Sequence, residues 1–215
     1  MKARVDAIIQ REQADYLNQL LTEHDPLLLE MEHDAAENRV PIADREVARF
    51  LAITARTTGA KKALEIGMAI GYSVVHLARG MGADSLVVTI EPNEEMIRRA
   101  SDYLGRASLM DRVRIERGKA LDVMPGLEET FDLLFIDAVK EEYRQYLDLG
   151  LPMLKSDGVV IVDNLLWGGR VAKPSDDEDA STKALREFNK YFVNHPQLRA
   201  EVLSFGDGLG YGVKL

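Results

Sequence analysis

Short apolar runs alternate with stretches of helical periodicity from Lys61 onward, and this alternation limits the folds open to the chain. Runs that are apolar at every position indicate strands buried on both faces, as in parallel sheets covered by helices. The last residues, AEVLSFGDGLGYGVKL (200–215), instead read as two strands joined through Gly206, Asp207 and Gly208. We therefore predict a mostly parallel α/β sheet with helices on both faces and a C-terminal antiparallel hairpin strand. The predicted parallel strands are residues 63–67, 86–91, 113–118, 131–137 and 158–164.

The first part of the chain is helical in pattern. Apolar residues recur at helical spacing, Pro26 begins a new segment, and a further amphipathic helix runs from Arg45 to Thr58. Eight acids and no Lys or Arg lie between Glu12 and Glu37, which we interpret as a solvated helix face rather than an acidic docking surface. We expect one domain over residues 1–215, made of an N-terminal helical arm (1–60) and a core (61–215).

The composition excludes several classes of protein. The absence of cysteine among 215 residues removes disulfide scaffolds, thiolate zinc sites and cysteine nucleophiles. A formal net charge of -9 argues against broad, nonspecific binding of nucleic acid. No apolar run approaches the ~18 residues of a membrane span, and the N-terminal stretch lacks the apolar segment of a signal peptide. We therefore expect a cytoplasmic protein without a membrane partner.

Four acidic residues stand at the ends of predicted strands. Glu65 lies near the end of the first strand, Glu91 ends the second, and Asp137 and Asp163 end the fourth and fifth. Ligands of open α/β sheets bind at the carboxyl ends of the strands. One acid in such a place is ordinary, but four acids that converge on one edge indicate a shared binding site.

The turn after the first strand narrows the class of ligand. Residues 65–73 (EIGMAIGYS) contain two glycines but match neither G-x-G-x-x-G nor the G-K-[ST] of triphosphate-binding loops. Such a turn suits a nucleoside that lacks a pyrophosphate. Glu91 follows about twenty residues later, where a carboxylate accepts hydrogen bonds from both ribose hydroxyls.

Five segments of the chain carry a combined pattern: LEIGMAIGYS (64–73), IEPN (90–93), GKAL (118–121), FIDAVKEEYRQY (135–146) and DGVVIVDNLLWGGRVA (157–172). The most specific parts are Asp-Ala-x-Lys, Tyr-x-x-Tyr and Asp-Asn-x-Leu-x-x-Gly-x-Val. With these segments, the chain from Val40 to the C-terminus resembles the metal-dependent S-adenosylmethionine O-methyltransferases of the caffeoyl-CoA and catechol type. The resemblance implies a Rossmann-like class I methyltransferase with seven strands, a catalytic core that binds S-adenosylmethionine, and a homodimer.

The resemblance also implies a role for individual residues. Lys140 would be the catalytic base, while Asp137, Asp163 and Asn164 would hold a divalent cation, with Mg²⁺ expected and Ca²⁺ or Mn²⁺ as alternatives. Val40, in the segment before the core, would close over the cofactor. The residues that would bind S-adenosylmethionine are Val40, Glu65, Gly67, Ser73, Glu91, Ala120, Asp137 and Tyr146.

Two positions depart from the family pattern. Val139 stands where many members have a second acid, so a supporting role of an acid at this position is not carried over to this chain. Lys119 stands where an acid or proline is common, so the recognition of adenine by this side chain is not carried over.

Elementary chemistry agrees with the implied roles. Two carboxylates and an amide are hard oxygen ligands, which suit Mg²⁺, Ca²⁺ or Mn²⁺. A phenolic hydroxyl has a pKa of about 10 and is a poor nucleophile at neutral pH. A divalent cation lowers the pKa of a bound hydroxyl and orients its oxygen. Lys140 stands at a helix start, a position unfavourable for a cation, so we interpret it as functional rather than as a surface lysine.

Other residues near these motifs receive a structural interpretation. Tyr143 is expected to pack in the core. Trp167 fits two roles equally well, stacking on an aromatic substrate or covering an apolar rim. The histidines lack paired metal-ligand spacing: His24, His33, His76 and His195.

The methyl acceptor has two candidates, each with two adjacent oxygens that can chelate a cation. We favour a small catechol-like phenol over the alternative, 5-hydroxyuridine at the tRNA wobble position, although residues 35–42 resemble a bacterial tRNA branch of the family. An RNA substrate needs a basic surface, which the net charge disfavours. A non-catalytic S-adenosylmethionine-binding module is a third hypothesis, and the metal-ligand triad with Lys140 argues against it. The arginines available for an RNA-binding patch are Arg39, Arg45, Arg49, Arg56 and Arg170.

Overall fold

The computed structural model describes residues 11–215, which form a seven-stranded sheet in the order β3-β2-β1-β4-β5-β7-β6. Strands β1 to β5 are parallel, β7 runs antiparallel to β5, and β6 pairs with β7 at the edge. The predicted parallel sheet with an antiparallel C-terminal hairpin strand is thereby confirmed. The strands are β1 (Lys62–Ile66), β2 (Leu86–Glu91), β3 (Val113–Arg117), β4 (Phe131–Ile136), β5 (Leu154–Val162), β6 (Leu198–Leu203) and β7 (Leu209–Lys214).

Helices cover both faces of the sheet and give it two apolar cores. Alternate residues of β4 face opposite sides: Leu133 and Phe135 pack with one core, Leu134 and Ile136 with the other. Helices α2 to α5 contribute to the first core, and α6 to α8 lie on the second. The helices are α1 (Arg11–Leu20), α2 (Pro26–Asn38), α3 (Arg45–Thr57), α4 (Tyr72–Gly80), α5 (Glu94–Arg106), α6 (Ala120–Val123), α7 (Tyr143–Met153) and α8 (Ala180–Val193).

Strand β5 begins four residues earlier than the sequence predicts. Leu154 pairs with Phe131 of β4, and the register shifts before Leu133 pairs with Val159. The residues between, 155–157, are exposed, so no apolar pattern marks them as strand.

The acidic stretch of the arm is an intramolecular contact surface as well as a solvated one. Five of its eight carboxylates, from the loop before α2 and from α2 itself, pair with arginines of α3, α4 and α5. This differs from the interpretation of a solvated face, which considered only charges on the same segment. The pairs are Glu23–Arg49, Asp25–Arg79, Glu30–Arg106, Glu32–Arg45 and Asp34–Arg99.

Helix α1 contributes no buried residue, and Tyr16, Leu17 and Leu20 are exposed on it. The homodimer implied by the resemblance stays a prediction. Helical spacing over Ala7 to Ile9 lies outside the described residues. Between residues 11 and 215, no helix has the length and apolar character needed to cross a membrane.

The contact between α3 and α4 gives a prediction about stability. A Cβ placed on Gly80 would lie 2.3 Å from the carbonyl oxygen of Ala52, a backbone atom that cannot move aside. Gly80→Ala should therefore lower the free energy of unfolding by about 1–3 kcal/mol through overpacking, measured by urea denaturation. Gly105→Ala is the matched control, because nothing lies within 4 Å of its Cβ in α5. This control should raise stability by about 0.5–1 kcal/mol, and equal effects of the two substitutions would contradict the proposed helix contact.

Candidate active site

A cavity of about 730 Å³ opens at the carboxyl ends of β1, β2, β4 and β5. The edge of the sheet where the acidic residues predict a binding site thus contains a cavity, with a volume typical of small-molecule sites. The segment before α3 and the start of α6 complete its wall. The lining residues from these two segments are Pro41, Ile42, Ala43, Lys119 and Ala120.

The glycine-containing turn after β1 packs directly against the end of β4. Gly67 has a φ of 98°, and a Cβ at this position would lie 2.0 Å from the carbonyl oxygen of Asp137. Only glycine fits such a close approach. The turn therefore brings the side of the cavity formed by β1 and β2 against the side formed by β4 and β5.

Glu91 is fixed by the backbone on both of its carboxylate oxygens. Oε2 accepts a hydrogen bond from the N–H of Ala69 at 3.0 Å, and Oε1 accepts one from the N–H of Asn93 at 3.0 Å. The side chain lines the cavity, and the residue is 8% exposed. Each oxygen keeps a lone pair for a ligand, so the carboxylate is an oriented acceptor.

Glu65 lies below this turn and is not on the cavity wall. It is fully buried, and Thr89 donates a hydrogen bond to its Oε2 at 2.6 Å. Burial raises the pKa of Glu65 to about 7, although the hydroxyls of Ser73 and Thr89 oppose the shift. The charge of Asp137 raises this pKa further.

Lys140 is the centre of a polar cluster at the ends of β4 and β5. Its Nζ lies 2.8 Å from Oδ1 of Asp137, 2.8 Å from Oδ1 of Asn164 and 2.6 Å from the hydroxyl of Tyr143. That hydroxyl in turn donates to the carbonyl of Asp163 at 3.2 Å. Two of the three predicted metal ligands therefore already converge on a positive charge.

The third predicted ligand, Asp163, is more deeply placed. It is 2% exposed and absent from the cavity wall, and its Oδ1 accepts the N–H of Asn164 at 2.7 Å. Burial raises the pKa of Asp163 to about 7, and the neighbouring charge of Asp137 adds to the shift. Pairing of Ile136 with Val162 sets the two aspartates at adjacent strand ends.

A cation at this place would use the amide of Asn164 besides the carboxylates. Over residues 11–215, no group of three or more His, Cys, Asp or Glu is arranged to hold a metal ion. Asn164 has a φ of 62°, a left-handed conformation that asparagine tolerates better than most residues. The oxygen donors present fit a hard divalent cation.

Trp167 lines the cavity and also packs against the second apolar core, so both roles considered for it stay open. Nζ of Lys140 lies 5.7 Å from the centroid of its ring, and the guanidinium carbon of Arg170 lies 4.5 Å from it. Arg170 is also paired with Asp179 at 3.0 Å, at the start of α8. An aromatic surface thus lies beside the cluster of oxygen donors.

The structure brings most of the predicted site residues together. Val40 packs against the core outside the cavity, whereas its three neighbours, residues 41–43, form the wall. Lys140 and Asn164 lie on the wall with six of the eight predicted cofactor residues, and the roles of all of them stay predictions. Those six are Gly67, Ser73, Glu91, Ala120, Asp137 and Tyr146.

Sequence reasoning missed two polar contacts next to this wall. The Tyr143 hydroxyl contacts Lys140, although Tyr143 was expected only to pack in the core. Glu142 lines the cavity and accepts a hydrogen bond from the hydroxyl of Tyr146. Spacings of three and four residues at the start of α7 are the signal that could have found both pairs.

Comparison with known proteins identifies the family of the chain. A model of the O-methyltransferase family matches residues 11–215. The chain is 36% identical over 191 residues to a catechol O-methyltransferase of Mycobacterium tuberculosis, with 87% of this chain and 86% of that protein covered. It is 30% identical over 194 residues to a catechol O-methyltransferase of Niastella koreensis, with 87% of each covered.

Solved structures agree in fold and in sequence. An O-methyltransferase from Bacillus cereus in complex with S-adenosylhomocysteine superposes with a TM-score of 0.83 at 30% identity, covering 94% of this chain and 96% of that one. The O-methyltransferase TomG from Streptomyces achromogenes, in complex with S-adenosylmethionine, gives 0.83 at 29% identity over 93% and 94% of the two chains. The chain therefore belongs to the O-methyltransferase family, with the class I methyltransferase fold, and is an S-adenosylmethionine-dependent enzyme.

Proposed function

We propose that this enzyme transfers the methyl group of S-adenosylmethionine to a hydroxyl of a catechol-like phenol, with the help of a divalent cation. One observation carries the proposal: oxygens of Asp137 and Asn164 converge on a positive charge within the same cavity as the oriented carboxylate of Glu91. The two catechol O-methyltransferases among its relatives support the choice of acceptor.

In this proposal, S-adenosylmethionine occupies the side of the cavity formed by β1 and β2. Glu91 accepts the ribose hydroxyls with the lone pairs that the backbone leaves free. Gly67, Ser73 and Ala120 let the nucleoside approach the backbone, and Tyr146 closes the far end. Glu65 supports the turn from below rather than touching the cofactor, since it is fully buried.

The cation is proposed to bind where Asp137, Asp163 and Asn164 meet. The fit rests on their donor chemistry and on the ammonium of Lys140, which two of the three already contact. Mg²⁺ is the expected ion, with Ca²⁺ or Mn²⁺ as alternatives. When bound, the ion supplies acidification and orientation of the acceptor hydroxyl.

Lys140 is proposed to take the proton of that hydroxyl at its Nζ. A lysine accepts a proton only in its neutral form, which is favoured where another cation balances the nearby carboxylates. Tyr143 orients the amine through its hydroxyl at 2.6 Å. The ring of Trp167 offers the acceptor an aromatic surface beside this amine.

The distribution of arginines supports a small phenol over a tRNA acceptor. Of the five arginines considered for an RNA-binding patch, Arg45, Arg49 and Arg170 are paired with carboxylates of this chain. Paired guanidinium groups contribute less to a positive surface, which RNA binding needs.

Glu91→Ala should weaken S-adenosylmethionine binding, because the ribose loses its hydrogen bonds to a charged acceptor. The expected loss is about 1.5–3 kcal/mol, measured by isothermal titration calorimetry. Glu128→Ala serves as a control, since Glu128 is exposed and lies outside the cavity wall. Unchanged cofactor affinity in a folded Glu91→Ala variant would remove this residue from the binding site.

Turnover should require a divalent cation, whereas cofactor binding should not. Treatment with EDTA is expected to abolish methylation of a catechol, and Mg²⁺, Mn²⁺ or Ca²⁺ should restore it to different degrees. Calorimetry with S-adenosylmethionine on the same metal-free sample should give an affinity close to that of the untreated enzyme. Full turnover in a preparation verified as metal-free would refute the metal-dependent mechanism.

Two substitutions should separate the metal ligand from the base. Asp163→Asn removes a ligand charge without changing shape, so Mn²⁺ affinity should fall and excess cation should partly restore turnover. Lys140→Ala removes a competing ammonium, so Mn²⁺ affinity should hold or rise while the chemical step slows by about 10²–10⁴-fold. Mn²⁺ binding by electron paramagnetic resonance and single-turnover rates provide the two readouts. Equal rescue of both variants by added metal would show that Lys140 acts on the ion rather than on the proton.

A further inference from the structure

The loop after β5 holds three consecutive residues in the left-handed region. Trp167 has a φ of 50°, Gly168 of 60° and Gly169 of 78°. Glycine adopts this conformation freely, but a bulky aromatic residue does so only when its surroundings force it. The contacts that keep Trp167 in place must therefore lie around the loop.

The turn between β6 and β7 supplies these contacts, because Gly210 at the start of β7 pairs with Val162 at the end of β5. The N–H of Leu165 donates to the carbonyl of Gly208 at 2.8 Å, and the N–H of Leu166 donates to the carbonyl of Asp207 at 2.8 Å. The side chain of Asp207 adds a third bond, because its Oδ1 accepts the N–H of Gly168 at 2.7 Å. Hydrogen bonds to this turn thus lie on both sides of Trp167.

The side-chain bond is the one that depends on residue type. The two carbonyl contacts would persist with any residue at position 207, since they use only the backbone. The third bond needs a side-chain oxygen at position 207 that can accept the N–H of Gly168, which a carboxylate or an amide supplies and an alanine does not. The side chain of Asp207 binds the N–H of Gly168, the residue directly after Trp167.

We propose that Asp207 is a positioning residue that fixes Trp167 as the aromatic wall of the acceptor site. The proposal rests on the proposed function, because it takes the side of the cavity between Trp167 and Lys140 as the place of the phenol. Asp207 itself is absent from the cavity wall and touches neither the cofactor residues nor the predicted metal ligands through its side chain. Its effect should therefore fall on the acceptor and leave S-adenosylmethionine binding unchanged.

Trp167 is the one tryptophan of the sequence, so its fluorescence reports directly on its surroundings. Asp207→Ala should shift the emission maximum to longer wavelength and increase quenching by acrylamide, because the ring is no longer fixed against the cavity. Asp207→Asn should behave like the unmodified enzyme, since an amide oxygen still accepts the N–H of Gly168. Asp176→Ala removes the same charge at an exposed position and should change neither signal.

Steady-state kinetics with a catechol at saturating Mg²⁺ and S-adenosylmethionine give the second readout. Asp207→Ala should raise the KM for the catechol by about tenfold, the scale of one net hydrogen bond. The kcat and the affinity for S-adenosylmethionine should stay within about twofold of the unmodified enzyme, and Asp207→Asn should restore the KM.

Gly168→Ala is an independent variant that tests the position of Trp167 by changing the backbone of the loop itself. Nothing lies within 4 Å of a Cβ at this position, so any effect arises from the left-handed backbone rather than from a clash. It should shift the emission of Trp167 and raise the KM for the catechol in the same direction as Asp207→Ala.

Three results would overturn the proposal. The first is unchanged emission and quenching in Asp207→Ala, and the second is altered emission with an unchanged KM for the catechol. The third is a failure of Asp207→Asn to restore either signal, since charge rather than the hydrogen bond would then be responsible. If the unmodified enzyme methylates no catechol, the proposed function fails, and the fluorescence of the variants still decides whether Asp207 positions Trp167.

Discussion

The crowding of negative charge at the ends of β1, β4 and β5 is the constraint on which the rest of the site depends. Glu65 and Asp163 are buried next to Asp137, and the pKa values of both are raised to about 7. A nearby cation stabilises the charged form of carboxylates that lie so close together. Lys140 provides one through its contacts with Asp137 and Asn164. The same electrostatic demand supports the proposed divalent-ion site at this edge of the sheet.

The sheet and the edge that carries the site were predictable because the apolar runs stop at acids. Glu91 is the last residue of β2, and Asp137 and Asp163 follow β4 and β5. Each of these acids therefore marks the end of a buried strand in the sequence. The face of the sheet on which a given strand residue lies was harder to predict. Glu65 shares the face of Ala63 rather than that of Ile66, which places it under the turn instead of on the cavity wall.

Contacts between distant segments were beyond reach of the sequence. The bond from Gly168 to Asp207 spans 39 residues and depends on the insertion of β7 between β5 and β6. Val40 is a second example. The resemblance indicated the right segment, but the wall is formed by the next three residues, 41–43. Both depend on backbone geometry that hydrophobic periodicity does not encode.

The ion pairs of α2 are the salt-sensitive part of its attachment to the core. Arg106 and Glu30 are 44% and 48% exposed in their side chains, so salt weakens this pair more than it would a buried one. Leu28 and Met31 are buried apolar side chains, so their contacts with the core do not depend on the screening of charges. Ionic strength therefore acts on the exposed ion pairs of α2 and not on its apolar contacts. Helix α2 is followed in the chain by residues 41–43 of the cavity wall, so these apolar contacts hold the helix next to the wall at any salt concentration.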